Sequence, residues 1–389
     1  MELRETHLKN FLMQPTHKYL SNLTPLRGIA ALWVVVFHFS EIVAKFVSTQ
    51  YSRLLTKGYL MVDLFFILSG FIMIHVYRKK FQSGLSIRNF REFIVARFAR
   101  VYPLHFFTLM LLILLVALSG GWNIVQDPKA ISTNLLLLHS FGIHKIFTWN
   151  VPSWSISAEW WAYMVFPVIV MFIYRKRGLA IVLLGLFVIL AYLAIMFWIP
   201  RVNIFDPGAP PRRNLDVTFD YGFLRGLAGF ISGLLLYRLY EEGLLRKFFQ
   251  TDMATAVSIL LAILSMHFGW NDGFTIIFFA AIVFSFALNN GKLHSLCNMR
   301  LPQYLGKISY SIYLIQFVPI IPIFAGLKLP GLVYNDQFAT TGFWTGTGYC
   351  LIYIVIVTGL ASLTYYTIEK PCRKLINRKW GRETMPVYA

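Results

Sequence analysis

The amino-acid sequence predicts an all-α fold: a polytopic integral membrane protein of about ten transmembrane helices, with both termini in the cytoplasm. Three observations carry that prediction. Of 389 residues, 57% are hydrophobic and only 14% are charged, too little polar surface for a water-soluble chain of this length. The apolar runs reach helix-spanning length and lack the alternation of outer-membrane strands. The net charge of +19 comes from basic residues gathered in short connections between those runs, as the positive-inside rule requires. No basic arm or recognition module points to nucleic acid.

The apolar segments fall, in order, near residues 26–44, 59–77, 102–119, 154–173, 179–199, 222–238, 253–270, 274–290, 308–327 and 342–367. With the N-terminus inside, about 26 Lys and Arg lie on inner segments and about 9 on outer ones, a bias that sets the topology. The longest outer connections cover 120–153 and 200–221. The chain therefore divides into a cytoplasmic segment (1–22), a transmembrane domain (23–371) and a basic cytoplasmic tail (372–389). The first apolar run lacks a small-residue cleavage site, so no cleavable signal peptide is expected. Cys297, Cys350 and Cys372 are scattered and imply neither a disulfide framework nor a metal site.

Ionisable side chains inside a span are expensive and point to function. Arg27 stands at the entrance of the first apolar run and His38 lies deep within it. Eleven helical steps return His38 to within roughly 20° of the face of Arg27, about 16 Å further along the axis. Asp63 in the second span, Glu159 in the fourth and Arg225 at the start of the sixth share the depth of His38. Together they suggest a buried polar site reachable from outside, or equally an ion-pair network that fixes helix packing. Arg97 and Arg100, three residues apart at the start of the third span, share one face and suit phosphate oxygens, although plain positive-inside anchoring explains them too. Lys307 is open to the same two readings. Ser69, in a Leu-Ser-Gly step, reads as a small residue for close packing. His75 and His105 read as interfacial. No P-loop, dinucleotide fingerprint, Gly-x-Ser-x-Gly elbow or His-Glu-x-x-His is present.

Six motifs in order give the chain a resemblance. They are Leu26-Arg27-Gly-Ile-Ala-Ala with His38 (Arg-x10-His), Val62-Asp63-Leu-Phe-Phe-Ile-Leu-Ser-Gly-Phe71, Arg97-x-x-Arg100-x-Tyr-Pro103, Trp154-Ser-Ile-Ser-Ala-Glu159-Trp160, Gly306-Lys307-Ile-Ser-Tyr-Ser-Ile-Tyr-Leu314 and Tyr366-Thr-Ile-Glu-Lys-Pro371. From about residue 20 to 375 the chain resembles the membrane acyltransferase 3 family, integral-membrane O-acyltransferases that decorate bacterial surface glycans. Some members carry an additional C-terminal periplasmic hydrolase-like domain, which is not expected here.

The resemblance implies an acetyl-CoA-dependent O-acetyltransferase of the inner membrane. Its acceptor would be a glycan or glycolipid such as O-antigen, exopolysaccharide or capsule. It would hold no permanent cofactor and no metal, with acetyl-CoA or another acyl-CoA as donor substrate. His38 would be the base or a transient acyl carrier. Arg27, Arg97, Arg100 and Lys307 would hold the donor. Glu159 or Asp63 would orient the imidazole, and Arg225 would face the developing oxyanion or the acceptor. A transporter of an acyl donor or small substrate is the non-enzyme alternative, since intramembrane charges also mark substrate paths.

Overall fold

The computed structural model describes residues 20–119, 129–199, 213–320, 333–334 and 339–380. The expected N-terminal segment (apart from 20–22), part of each long outer connection, the end of the ninth expected span and the last nine residues lie outside these. Among the described residues the chain is helical throughout, apart from loops and one short antiparallel pairing of β1 (Val333–Tyr334) with β2 (Ala339–Thr340).

The helices are α1 (Leu23–His38, continued by a wider turn over Phe39–Val43), α2 (Met61–Phe81), α3 (Ile87–Ser119), α4 (Lys129–Leu135), α5 (Trp154–Arg175), α6 (Arg177–Leu193) and α7 (Gly222–Glu242). They are followed by α8 (Arg246–Phe249), α9 (Asp252–His267), α10 (Asp272–Leu288), α11 (Lys292–Cys297), α12 (Arg300–Ile315), α13 (Phe343–Thr364) and α14 (Lys370–Trp380). Among the described residues, seven stretches are long and apolar enough to cross a membrane: Leu23–Val43, Gly58–Phe81, Ile87–Leu118, Val151–Arg175, Arg177–Trp198, Gly222–Glu242 and Phe343–Trp380. Seven of the expected ten are thus present at membrane-crossing length among the described residues. The seventh and eighth expected spans are the shorter apolar helices α9 and α10, of 16 and 17 residues. Side-chain caps fix where they begin, Thr251 accepting from the Ala254 amide and Asn271 from the Gly273 amide, and they end at His267 and Leu288, short of the expected 270 and 290. The ninth corresponds to α12, which ends at Ile315.

The third span departs most from expectation. Its helix begins at Ile87 rather than near 102, because the charged stretch before Arg97 is itself amphipathic. Arg88 and Arg91 are exposed while Phe93, Ala96, Arg97 and Ala99 are buried, the spacing of a helix with one inward face. Lys80 reaches Glu92 at 2.9 Å, and the Asn89 amide donates to the Lys80 carbonyl at 3.1 Å. Arg97 and Arg100 therefore sit well inside the helix, about 15 and 20 Å from its start at 1.5 Å per residue.

Charged residues gather at one end of the bundle, where four helices terminate or begin. Arg78 pairs with Glu241, Arg238 with Glu241 and Glu242, and Arg177 with Glu242. The same end carries Arg175, which donates to the Ser83 carbonyl at 2.7 Å.

Helix pairs in the interior meet at glycine. A Cβ on Gly28 of α1 would lie 2.7 Å from the Gly306 nitrogen of α12, and one on Gly306 would collide with the Thr24 carbonyl of α1. Likewise Gly70 of α2 faces the Phe230 carbonyl of α7, and Gly233 of α7 faces the Ile67 carbonyl of α2. These are backbone-to-backbone contacts of the kind that small residues permit between membrane helices. Gly306→Val is expected to cost about 1–3 kcal/mol or more of stability. Gly348→Ala, at a position with open space around it, should leave the thermal midpoint in detergent unchanged or slightly raised. Equal midpoints for the two variants would remove the α1–α12 contact from the stabilising set.

Candidate functional site

Between α1, α2, α3, α5 and α12 the structure holds a partly open cavity. Its charged lining consists of Arg27 from α1, Arg97 and Arg100 from α3, and Glu159 from α5, three guanidinium groups against one carboxylate. Apolar and aromatic side chains fill the remaining walls, with Tyr163, Tyr310 and Tyr313 offering hydroxyls and rings. Four of the residues picked from the sequence are thus brought together by five helices.

The three arginines are held differently. Arg97 is buried, donates to the Tyr77 hydroxyl at 2.9 Å and lies over the rings of Tyr77 and Tyr163, 5.2 and 5.9 Å from their centroids. Arg100 forms an ion pair with Glu369, and its guanidinium lies 5.4 Å from the Tyr310 ring centroid. Glu369 is in turn held by the Ser311 hydroxyl at 2.7 Å. Arg27 makes no hydrogen bond or ion pair to the described residues, although it lies within electrostatic range of Arg100, Glu159 and Glu369. It is the cavity cation with its donors uncommitted.

Glu159 is half-buried. One carboxylate oxygen accepts from Ser69 at 2.6 Å and from Tyr163, one helical turn on. Ser69 is therefore more than a packing residue. It orients the cavity carboxylate from α2, and its hydroxyl is also 3.2 Å from that of Tyr163.

His38 does not line this cavity. It ends α1, half-buried, with ring centroids of Phe37 and Phe317 at 5.0 and 5.1 Å. Its Nδ1 is 3.0 Å from Gln316 Oε1. The unbroken α1 helix puts His38 about 16 Å beyond Arg27 along the axis. Neither Asp63 nor Glu159 orients the imidazole, since both have other partners.

Asp63 and Arg225 form a separate, closed pair, which corrects the expectation that one steadies His38 and the other receives an oxyanion. Both are fully buried. Arg225 Nε donates to Asp63 Oδ1 at 3.0 Å and NH2 to Oδ2 at 2.6 Å. The remaining donors reach the Val217 and Tyr59 carbonyls at 3.1 and 2.9 Å, between the rings of Tyr59 and Trp154. With four of its five N–H groups bonded to Asp63, Val217 and Tyr59 and the side chain fully buried, Arg225 presents no open face to a substrate. Lys307 also stands apart. It is exposed, outside the cavity lining, and its ammonium lies 5.3 and 5.8 Å from the ring centroids of Tyr365 and Tyr366. That cation–π contact uses the charge locally.

His105, expected near an interface, is fully buried; it contacts the Asn134 carbonyl at 2.9 Å and stacks on His139. Sequence reasoning also passed over Tyr163, Glu369 and Gln316. The i,i+4 spacing from Glu159 would have found Tyr163. Glu369 stood inside a recognised motif without an assigned role. Gln316 carried no signal, because its partner is 278 residues away.

Fold and cavity together define a polytopic helical membrane protein with a cationic internal chamber. The chain belongs to the acyltransferase 3 family, whose profile, described as an acyltransferase domain, matches residues 21–366. Among its relatives is MdmB of Streptomyces mycarofaciens, named an acyltransferase, with 27% identity over 411 residues that cover 96% of this chain and 97% of the relative. YrhL of Bacillus subtilis (strain 168), provisionally named a peptidoglycan O-acetyltransferase, is 24% identical over 94% of this chain and 57% of its own length. OatA of Staphylococcus aureus (strain NCTC 8325 / PS 47), named an O-acetyltransferase, is 22% identical over 92% of this chain and 58% of its own length. The chain thus spans little more than half the length of these last two relatives. No solved structure matches the chain.

The closed Asp63–Arg225 pair makes a stability prediction. Arg225→Met alone strands a buried carboxylate and should cost about 3–5 kcal/mol. Combining it with Asp63→Leu should recover most of that loss. A thermal-midpoint cycle of the two singles and the double checks this, and a single variant as stable as the parent would show that the pair does not hold the fold.

Proposed function

We propose that the protein is a membrane O-acyltransferase that moves an acetyl group from acetyl-CoA to a hydroxyl of a cell-surface glycan. The observation that carries the reading is the three-arginine cavity joined by one straight helix to a histidine about 16 Å away. Multiple arginines lining a chamber with a single carboxylate suit an anionic, phosphate-bearing donor. Arg27, with no protein partner among the described residues, is the first of them to meet it. Arg97 and Arg100 are pre-set by Tyr77 and Glu369 and add charge without reorganising, the condition for electrostatic binding to be effective.

The Lys- and Arg-rich end faces the cytoplasm under the positive-inside rule, and Arg27 opens toward the compartment that supplies acyl-CoA. His38 lies toward the other face, where a glycan acceptor would approach. In the transfer, the ring nitrogen of His38 that Gln316 does not engage takes the hydroxyl proton while the hydroxyl oxygen bonds to the thioester carbonyl carbon. The carbon–sulfur bond then breaks, its electron pair leaves with sulfur, and the imidazolium returns the proton to the thiolate. Glu159, held by Ser69 and Tyr163, stands in the donor chamber and positions the acyl-bearing arm. The names of YrhL and OatA support O-acetylation and, for YrhL, peptidoglycan as acceptor class.

His38→Ala should abolish the acetyl mass increment on host glycans, read by mass spectrometry. Wild-type acetylation in that variant would remove His38 from the chemistry. Arg27→Ala should weaken acetyl-CoA binding to the purified protein by at least about tenfold, the loss of one charge-assisted contact worth about 1.5–3 kcal/mol. Unchanged affinity in calorimetry would take Arg27 out of the donor site.

A further inference from the structure

We infer that Gln316 is a positioning residue that fixes the tautomer of His38, holding the proton on Nδ1 and leaving the lone pair on Nε2. The inference rests on His38 being the base of the proposed transfer, but the tautomer can be read independently of any activity.

The argument begins with the orientation of an amide. A glutamine side chain carries a donor end and an acceptor end that neighbours alone distinguish. Gln316 is fully buried, so both ends must be satisfied within the protein. Its Nε2 donates to the Tyr313 backbone carbonyl at 2.7 Å. A carbonyl only accepts, so the opposite orientation would press two acceptor oxygens together at that distance. Oε1 must therefore face His38, 3.0 Å away at Nδ1. An amide oxygen only accepts as well, so Nδ1 must be the protonated nitrogen. In neutral imidazole the other nitrogen then holds the lone pair.

The surroundings hold this arrangement in place. The Tyr353 hydroxyl from α13 donates to the Gln316 backbone carbonyl at 2.6 Å. Phe37 and Phe317 pack on the His38 ring. Nε2 of His38 has no hydrogen-bond partner among the described residues. Gln316 thus fills the place a carboxylate holds in a triad, orienting the ring and setting its tautomer, but as a neutral group. A neutral acceptor does this without burying an additional charge in an apolar setting. The same residue links the base to the donor chamber, because Tyr313, whose carbonyl anchors the amide, lines the cavity.

The test is nitrogen NMR of protein labelled with 15N-histidine, in detergent or nanodiscs. The chain has nine histidines, and His38→Gln identifies the signal by its loss. The expected spectrum of the unaltered protein at a pH where His38 is neutral shows Nδ1 protonated and Nε2 bare; protonated Nε2 would overturn the inference. Gln316→Leu should give a mixture of tautomers and lower acetyl transfer by at least about tenfold, part of the roughly 10²–10⁴ that a positioned base contributes. Gln316→Glu, which in its protonated form still offers an oxygen to Nδ1–H and an O–H to the Tyr313 carbonyl, should stay well above the Leu variant. If Glu and Leu variants of parental thermal stability fall equally, Gln316 acts by packing alone and the inference fails. Should His38→Ala remain fully active, the base reading falls while the tautomer result still stands or falls by the spectrum.

Discussion

The backbone contact between α1 and α12 at Gly28 and Gly306 is the constraint on which the rest of the structure depends. Arg27 immediately precedes one glycine, and Ser309, Tyr310 and Tyr313 follow the other within two turns. Because the helices touch without side chains between them, the N-terminal half of α1 shares a cavity with α12. Along the same pair, the C-terminal end of α1 delivers His38 to Gln316, just past the end of α12. A side chain at either glycine would wedge the helices apart and separate both sets of partners. In a bilayer, where apolar contact gains little over lipid, such close packing is a principal source of helix association.

Charge inside the span is sorted by partnership. Asp63 and Arg225 neutralise one another, and with both side chains fully buried the pair ties α2, α7 and the chain around Val217 and Tyr59 without an exposed face. Arg100 shares its charge with Glu369 and still borders the cavity. Arg27 borders the cavity with no such partner among the described residues. Since an uncompensated charge in a low-dielectric interior is costly, a chamber of this composition is stabilised by an anionic occupant.

A neutral orienting group has a second consequence for the imidazole. In the familiar triads a carboxylate both fixes the ring and stabilises its charged form. Here the two carboxylates at comparable positions along their helices are committed elsewhere, Asp63 to Arg225 and Glu159 to Ser69 and Tyr163. Direction is supplied by an amide whose own direction comes from a backbone carbonyl. The ring is aimed by hydrogen-bond geometry, with charge kept in the arginine-lined cavity.

Much of this was legible in the residues alone. Hydropathy and length mark the helices because each span must bury its own backbone polar groups, and ionisable residues within those runs stand out as costly. Arg27, His38, Arg97, Arg100 and Glu159 were identified on those grounds and on motif order. Helix length was less legible: α9 and α10 end before their apolar runs do, and an amphipathic charged stretch lengthens α3. Which charges pair was not legible at all. Asp63 and Arg225 looked like His38 and Glu159 in sequence, and only packing showed that the first two close on each other. Gln316 left no trace, since glutamine is ordinary in composition and its role arises from a residue 278 positions earlier. The sequence by itself determined that the chain is a bundle of membrane-length helices with charged groups inside, because those properties are local. Tertiary structure alone decided which of those groups are spent on one another and which face the cavity, because pairing is a matter of distance between helices far apart in the chain.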